Sequence, residues 1–360
     1  MSELQTALLV IGFSVIVAVY AFGWWQQRRY RRKFGPAFKT SHADALYQES
    51  DASNAGRDRQ PDLASMAYKS GGASATGMTA AALLDESCEL LDARTDFIIE
   101  LHLDEPGPAA VLDGLWQRKF DFGKPVQVCG LTLATKHWEK AIAEGQALYE
   151  RFRISLQLVD RGGAVSAAKL ADFRDLVLGV ARHIKANTTV PDLNKTHHHA
   201  VELDAFCAEV DQMVGVNLVA QGERTLIGGK IAQAADTQGM TLESDGAFHL
   251  LDAQGHSLFS LINQDTQPFQ HHTLETFNTP GITLLLDVPR VEDPALHFDQ
   301  MMRVAHELAR ELQVNVVDDH RVALSDSSLA RIRAQIIEVD AKMGEHGIKP
   351  GSGQARRLFA

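Results

Sequence analysis

The chain has 360 residues, of which 45% are hydrophobic and 22% charged, and its formal net charge at pH 7 is -11. That length accommodates two domains of ordinary size with additional segments. The acidic balance argues against nucleic-acid binding, because the phosphate backbone would be repelled. Cys88, Cys129 and Cys207 share no CxxC spacing, so we expect unpaired structural thiols in a reducing compartment.

Residues 1–26 are predicted to form a membrane anchor. The run from Thr6 to Trp25 contains no charged residue and is long enough to cross the hydrocarbon core as a helix. Trp24 and Trp25 lie at one end of the run, where indole rings favour the membrane interface. Basic residues follow at Arg28, Arg29, Arg31 and Arg32. The positive-inside rule therefore predicts a single pass with the later domains in the cytoplasm, and a buried core helix is the alternative.

Residues 27–93 are predicted to be a basic juxtamembrane segment and a tether. From Phe34 to about Thr76 the chain is rich in Ala, Ser, Asp and Gly and contains too few large apolar residues to form a core. A short helix is expected from Thr79 to Leu91.

A first α+β domain is predicted over residues 94–211. Phe97 to Leu103 alternates between apolar and polar residues, which indicates a half-buried strand. A helix is expected from Pro108 to Lys119, strands from Val126 to Leu133 and from Arg153 to Val159, and a further helix around Phe173.

A second α+β domain is predicted over residues 212–344, followed by a C-terminal tail at residues 345–360. Ile282 to Val288 is a strand with an apolar face and a mixed face. Asp293 is expected to cap the next helix, with Pro294 in its first turn. The other strands are expected near Val214–Leu218, Phe248–Leu251, Leu258–Ile262 and Val314–Val317, and another helix at Leu226–Thr237.

The two halves follow a similar order of strands and helices. AEVDQM at 208–213 also echoes IEVDAKM at 337–343 near the end of each half. We therefore expect two tandem copies of one α+β unit, each a mainly antiparallel sheet of split β-α-β type with helices on one face. Two unrelated α+β domains are the alternative.

Three short motifs invite a chemical interpretation, and each has a simpler one. Gly228–Lys230 lacks the Ser or Thr that follows the lysine of a phosphate loop. The run His197–His199 has no partner at metal-ligand spacing, so solvated side chains are expected. Asp318 and Asp319 follow a strand and favour a turn. We expect no enzyme activity, no metal and no cofactor.

The outer face of the second sheet is the predicted binding surface. Small residues beside apolar ones would form a shallow trough there, which suits an extended or helical peptide with apolar anchors. Packing of this face against the first domain is the alternative. The first domain would present a polar face with Glu100, His102, Arg153, Ser155 and Gln157. The candidate binding residues are Met213, Gly215, Asn217, Ala247, His249, Ile262, Gln264, Thr283 and Leu285.

Three motifs in the second half resemble the C-terminal domain of the ZipA family. They are LFSL at 258–261, FNTPGITLLLDVP at 277–289 and VVDDHR at 316–321. The resemblance implies binding of the C-terminal tail of FtsZ, a tubulin-like division protein, by the open sheet face. It also implies a single-pass inner-membrane protein with a periplasmic N-terminus, in contact with the lipid bilayer and with other division-ring proteins. A scaffold for another peptide, or a nucleic-acid-binding split sheet, remains the alternative.

Overall fold

The computed structural model describes residues 88, 90–265 and 267–360, which all fall within one compact unit. The predicted anchor and nearly all of the predicted tether lie outside these residues. Within the described part of the chain, no helix is both long and apolar enough to cross a membrane.

The first half forms a five-stranded antiparallel sheet with strand order β3-β2-β4-β1-β7. Helices α2 (Ala167–His183) and α3 (Leu193–Val210) contribute buried residues such as Phe173 and Phe206 to the core. Ser166 and Asp192 cap these helices by accepting hydrogen bonds from the backbone amides of Lys169 and Lys195. The elements are β1 Asp96–Pro108, a 3-10 turn Ala109–Leu112, α1 Asp113–Arg118, β2 Val126–Thr132, β3 Trp138–Lys140, β4 Leu148–Gln157, β5 Val159–Asp160, β6 Gly163–Ala164, α2 Ala167–His183, β7 Asn187–Thr189 and α3 Leu193–Val210.

The second half forms a six-stranded antiparallel sheet with strand order β10-β11-β12-β14-β8-β15. Helix α5 packs on one face of this sheet, and α6 packs on α5. The elements are β8 Met213–Val219, β9 Leu226–Ile227, α4 Gly228–Thr237, β10 Thr241–Leu242, β11 Phe248–Leu251, β12 Ser257–Asn263, β13 Asn278–Thr279, β14 Gly281–Asp287, a 3-10 turn Val288–Arg290, α5 Pro294–Leu312, β15 Asn315–Val317, α6 Asp326–Glu345 and α7 Gly353–Leu358. The predicted α+β class with mainly antiparallel sheets is confirmed.

The buried residues of the second half repeat every two positions in β14 and every three or four positions in α5. In β14, Ile282, Leu284 and Leu286 are fully buried, while the residues between them are half-buried. In α5 a stripe of residues three or four positions apart is buried, and each large side chain of this kind contributes roughly 1.5–3 kcal/mol on burial. The stripe consists of Phe298, Met301, Ala305, Leu308 and Leu312. Asp293 occupies the predicted cap position, but it adopts a left-handed conformation with φ 46° and its side chain makes no capping hydrogen bond.

The two halves share only part of their topology. In the first half, β1 lies between β4 and β7, the strands of this sheet that precede and follow α2. In the second half, β8 lies in the same way between β14 and β15, which precede and follow α5. The two halves differ in the hairpin that pairs with this group of strands. In the β2–β3 hairpin the first strand, β2, pairs with β4, whereas in the β11–β12 hairpin the second strand, β12, pairs with β14. The expectation that the two halves share one strand order is therefore wrong at the hairpin, and two tandem copies of one α+β unit stay a prediction.

The prediction for the cysteines is also wrong in part. Cys88 and Cys129 form a disulfide with their Cα atoms 6.5 Å apart, and Cys207 is a buried free thiol. The disulfide joins the segment before β1 to the outer face of β2. Burial, with Asp204 and Asp211 nearby, raises the pKa of the Cys207 thiol to about 12, so this thiol stays protonated at neutral pH.

Candidate functional site

Strand pairing brings most of the predicted binding residues onto one face of the second sheet. One row across the sheet runs through His249, Ser260, Leu285 and Gly215. The next row runs through Ile262, Thr283, Asn217 and Val317. Met213 pairs with Asp287 at the end of the face. Because side chains alternate along a strand, these residues all point away from α5.

The apolar and small residues of this face form a shallow surface that we call the trough: Met213, Gly215, Ile262 and Leu285. All four are half-buried, in contrast to the fully buried Leu284 on the opposite face. Gly215, which pairs with Leu285, has no side chain, and Leu285 is only half-buried. An apolar side chain from a partner can therefore contact the exposed part of Leu285.

A chain of hydrogen bonds crosses the trough at its second row. The Thr283 hydroxyl donates to Asn217 Oδ1 at 2.7 Å, and Asn217 Nδ2 donates to Asp319 Oδ1 at 2.9 Å. Burial raises the pKa of Asp319, although the hydrogen bond from Asn217 opposes the shift. Asp319 thus takes part in the site instead of serving only the predicted turn. Asp318 does form that turn, since it accepts from the amides of His320 and Val322.

His249 is held rigidly at the other side of the face. Its Nδ1 lies 2.8 Å from Ser257 Oγ, and its Nε2 lies 3.0 Å from Asp245 Oδ2. A neutral imidazole satisfies both contacts when Nε2–H donates to Asp245 and Nδ1 accepts from Ser257. Ser257 is exposed and the Asp245 side chain is 61% exposed, so the three groups lie on an open surface. The arrangement fixes the orientation of the ring.

The remaining two predicted residues lie at the margin of the face. Ala247 precedes β11 and is buried, and its carbonyl accepts from the amide of Glu243. Gln264 follows β12, and its Oε1 is buried beside Gly281 without a hydrogen-bond partner. Neither residue contributes an apolar side chain to the middle of the trough.

The outer face of the first sheet differs from the prediction of an open polar surface. Ser155 is 0% exposed and Gln157 is 2% exposed. Leu91 and the Cys88–Cys129 disulfide pack against Ile98 and Trp138 on this face. The guanidinium carbons of Arg153 and Arg151 lie 4.2 and 5.7 Å from the Trp138 ring centre, and both arginines pair with Glu100. Cys88 and Leu91, in the segment before β1, thus cover part of the face.

The other motifs do not form chemical sites. Helix α4 begins at Gly228, whose amide donates to Phe277 O, and a Cβ on Gly229 would lie 2.9 Å from Glu275 Oε1. A carboxylate at this helix start disfavours a phosphate. His197–His199 lie on α3, where His199 Nε2 contacts Arg94 O. Among the described residues no group of His, Cys, Asp or Glu side chains has the geometry to hold a metal ion.

A set of residues missed by the sequence argument lies at one end of the face. Asp287 continues the row of outward-pointing residues in β14, and Arg161 of the first domain donates to both of its carboxylate oxygens. No periodicity or motif around Arg161 indicates this contact, because the two residues lie 126 positions apart in the sequence.

Comparison with known proteins places the trough within a described domain. Residues 212–335 match the family model "ZipA, C-terminal FtsZ-binding domain", which confirms the resemblance for the second half. "Cell division protein ZipA" of Vibrio campbellii is 28% identical over 135 residues, 36% of this chain and 42% of the relative. The protein of the same name from Vibrio vulnificus is 26% identical over 164 residues, 40% of this chain and 53% of the relative. The chain spans about half the length of the curated relatives it matches.

Proposed function

We propose that this chain is a cell division protein whose second domain binds the C-terminal tail of FtsZ in the trough. The proposal rests on the agreement between the family match and the exposure of the sheet face. The part of the chain that matches an FtsZ-binding domain, residues 212–335, is the part whose sheet presents an open face with half-buried apolar residues.

The geometry suits a short peptide with apolar anchors. Leu285 and Ile262 supply apolar contact area, and Gly215, which pairs with Leu285, adds no side chain above the sheet. The Thr283–Asn217–Asp319 hydrogen bonds and the fixed His249 ring hold the surroundings in place before binding. A surface that is already ordered loses less conformational entropy on binding, which favours affinity.

The rest of the proposal follows the resemblance and the N-terminal sequence. Residues 1–26 would anchor the chain in the inner membrane as a single pass with a periplasmic N-terminus, and residues 27–93 would tether the cytoplasmic domains to the bilayer. The protein would then attach FtsZ polymers to the membrane and support assembly of the division ring with other division proteins.

Replacement of Leu285 by Asp tests the binding site. The substitution places a charge where an apolar anchor of the peptide should be buried, and such anchors commonly contribute about 2 kcal/mol, or roughly thirtyfold in affinity. We expect at least that loss in the affinity of the full chain, in detergent, for a fluorescent peptide with the FtsZ tail sequence of the same cell. Fluorescence anisotropy measures it.

Two matched variants separate binding from folding. Leu296→Asp changes a leucine on α5 that is 56% exposed, and it should leave both affinity and circular dichroism unchanged. Leu284→Asp places the charge in the core, since Leu284 is fully buried, and it should unfold the second domain. A folded Leu285→Asp protein that binds the peptide as well as wild type would disprove the trough as the site.

A further inference from the structure

An ion-pair cluster at one end of the trough joins the two domains. Arg161, in the turn between β5 and β6, donates to Asp287 at 2.8 and 2.9 Å and to Asp211 Oδ1 at 2.6 Å. Asp287 pairs with Met213 at the last position of the open face. Burial would lower the pKa of Arg161, but the hydrogen bonds to Asp287 and Asp211 raise it, so the guanidinium stays charged. A residue of the first domain therefore stands over the end of the trough.

The C-terminal segment 351–359, which includes α7, crosses the same end of the sheet. Arg356 Nη1 lies 3.1 Å from His256 Nε2 in the turn between β11 and β12. The Gly351 amide donates to Pro289 O at 3.0 Å, just beyond the end of β14. The Phe359 ring lies 5.9 Å from the Arg161 guanidinium and is 1% exposed. These contacts lie along one edge of the second sheet, where β11 and β14 end and where β12 and β8 begin.

The first domain holds α7 in this position. Arg357 Nη2 donates to both carboxylate oxygens of Asp96 at 2.6 and 2.7 Å, and the Asp96 side chain is 0% exposed. Gln157 Nε2 donates to Arg357 O at 3.0 Å. Gln354 Nε2 donates to Asp92 Oδ2 at 2.6 Å. Because a buried carboxylate without its cation is strongly unfavourable, α7 cannot leave this position at low cost.

We propose that Arg161 and α7 form an end wall of the trough, and that this wall fixes the direction and length of the peptide that binds there. The inference rests on the proposed function and assigns the first domain a part in specificity. Asp287 lies two positions after Leu285 in β14, which corresponds to roughly 7 Å of extended chain. A peptide that is anchored at Leu285 and runs along β14 must therefore end or turn away within about two residues on the Asp287 side, while it can continue past Thr283 on the other.

The wall itself can be tested without a partner, by rates of thiol labelling in the full chain. Cysteine is introduced at Met213, next to the wall, or at Ile262, in the row remote from it, in a Cys207→Ala background. We expect labelling at residue 213 to be slower by about tenfold. The wall variant combines Arg161→Ala, Asp211→Asn, Asp287→Asn and Phe359→Ala. In this variant the labelling rate at residue 213 should approach the rate at residue 262. Equal rates in the wild-type background would overturn the inference.

The consequence for specificity is tested with two peptides. The FtsZ tail peptide carries a bulky fluorophore at its N-terminus in one version and at its C-terminus in the other. We expect the wild-type chain to bind the two versions with affinities that differ by about tenfold, and the wall variant to reduce the difference to about threefold or less. Equal affinities for wild type would reject a directional wall. Binding of neither peptide would reject the proposed function, while the labelling rates would still decide whether the wall exists.

Discussion

At the scale of single residues, the second domain shows how one position in the sequence decides between folding and binding. Leu284 and Leu285 are adjacent and chemically identical, yet one is fully buried against the helices and the other lies in the trough. The two-residue period of the strand separates them. Asp319 adds a charged group beside the trough, because Asn217 orients its carboxylate.

The raised pKa of Asp319 predicts how stability depends on pH. Burial favours the protonated form in the folded state, so the stabilising contribution is complete below the ordinary pKa of 3.8 and is lost as the pH rises through the higher folded value. Asp319→Asn keeps an acceptor for Asn217 but cannot ionise. We expect the variant to gain free energy of unfolding relative to wild type as the pH rises from about 3 to 7.

Urea denaturation across that pH range measures the difference. If Asp319→Asn and wild type keep a constant difference in stability from pH 3 to 7, Asp319 has no raised pKa.

At the scale of elements, the same residue type has opposite roles in a strand and in a helix. Gly130 in β2 lies under the ring of Tyr149 in β4, and a methyl group there would overlap the ring. Gly179 lies within α2, and a Cβ there would meet no heavy atom within 4 Å. Close approach of an aromatic ring requires the first glycine, whereas no contact requires the second.

Alanine substitution should therefore shift the stability in opposite directions. Gly130→Ala should lower the free energy of unfolding by about 1–3 kcal/mol, because Tyr149 must move out of a packed position. Gly179→Ala should raise it by up to about 1 kcal/mol, because alanine has the higher helix propensity. Urea denaturation of the two variants measures both, and a shift of the same sign in both would contradict the explanation.

At the scale of the whole molecule, the two domains and α7 form one body through contacts that are distant in sequence. Lys342 pairs with Glu209 at 2.9 Å, and His346 stacks on Phe206 with the ring centres 3.9 Å apart. Arg94 Nη1 donates to Gly347 O at 2.8 Å. The last residues of the chain are thus tied to the first domain as well as to the second.

Arg357→Ala tests the strength of this connection. The change leaves the buried Asp96 carboxylate without its cation, which typically costs about 3–5 kcal/mol. Arg333→Ala is the matched control, because its ion pair with Asp299 is exposed and contributes about 1 kcal/mol or less. Thermal unfolding of the full chain should show a much lower midpoint for the first variant than for the second. Similar midpoints would mean that the connection contributes little to stability.

Local patterns in the sequence were sufficient for the α+β class, for most strands and long helices, and for the resemblance that indicates the second domain. They also predicted which side of β14 is buried, because alternation along a strand is a local property. Only the tertiary structure decided the order of the hairpin strands, the Cys88–Cys129 disulfide and the covering of Ser155 and Gln157. It alone also placed Arg161 and α7 at the end of the trough. These features depend on contacts between residues up to about 260 positions apart, and no periodicity or spacing within a segment encodes such contacts.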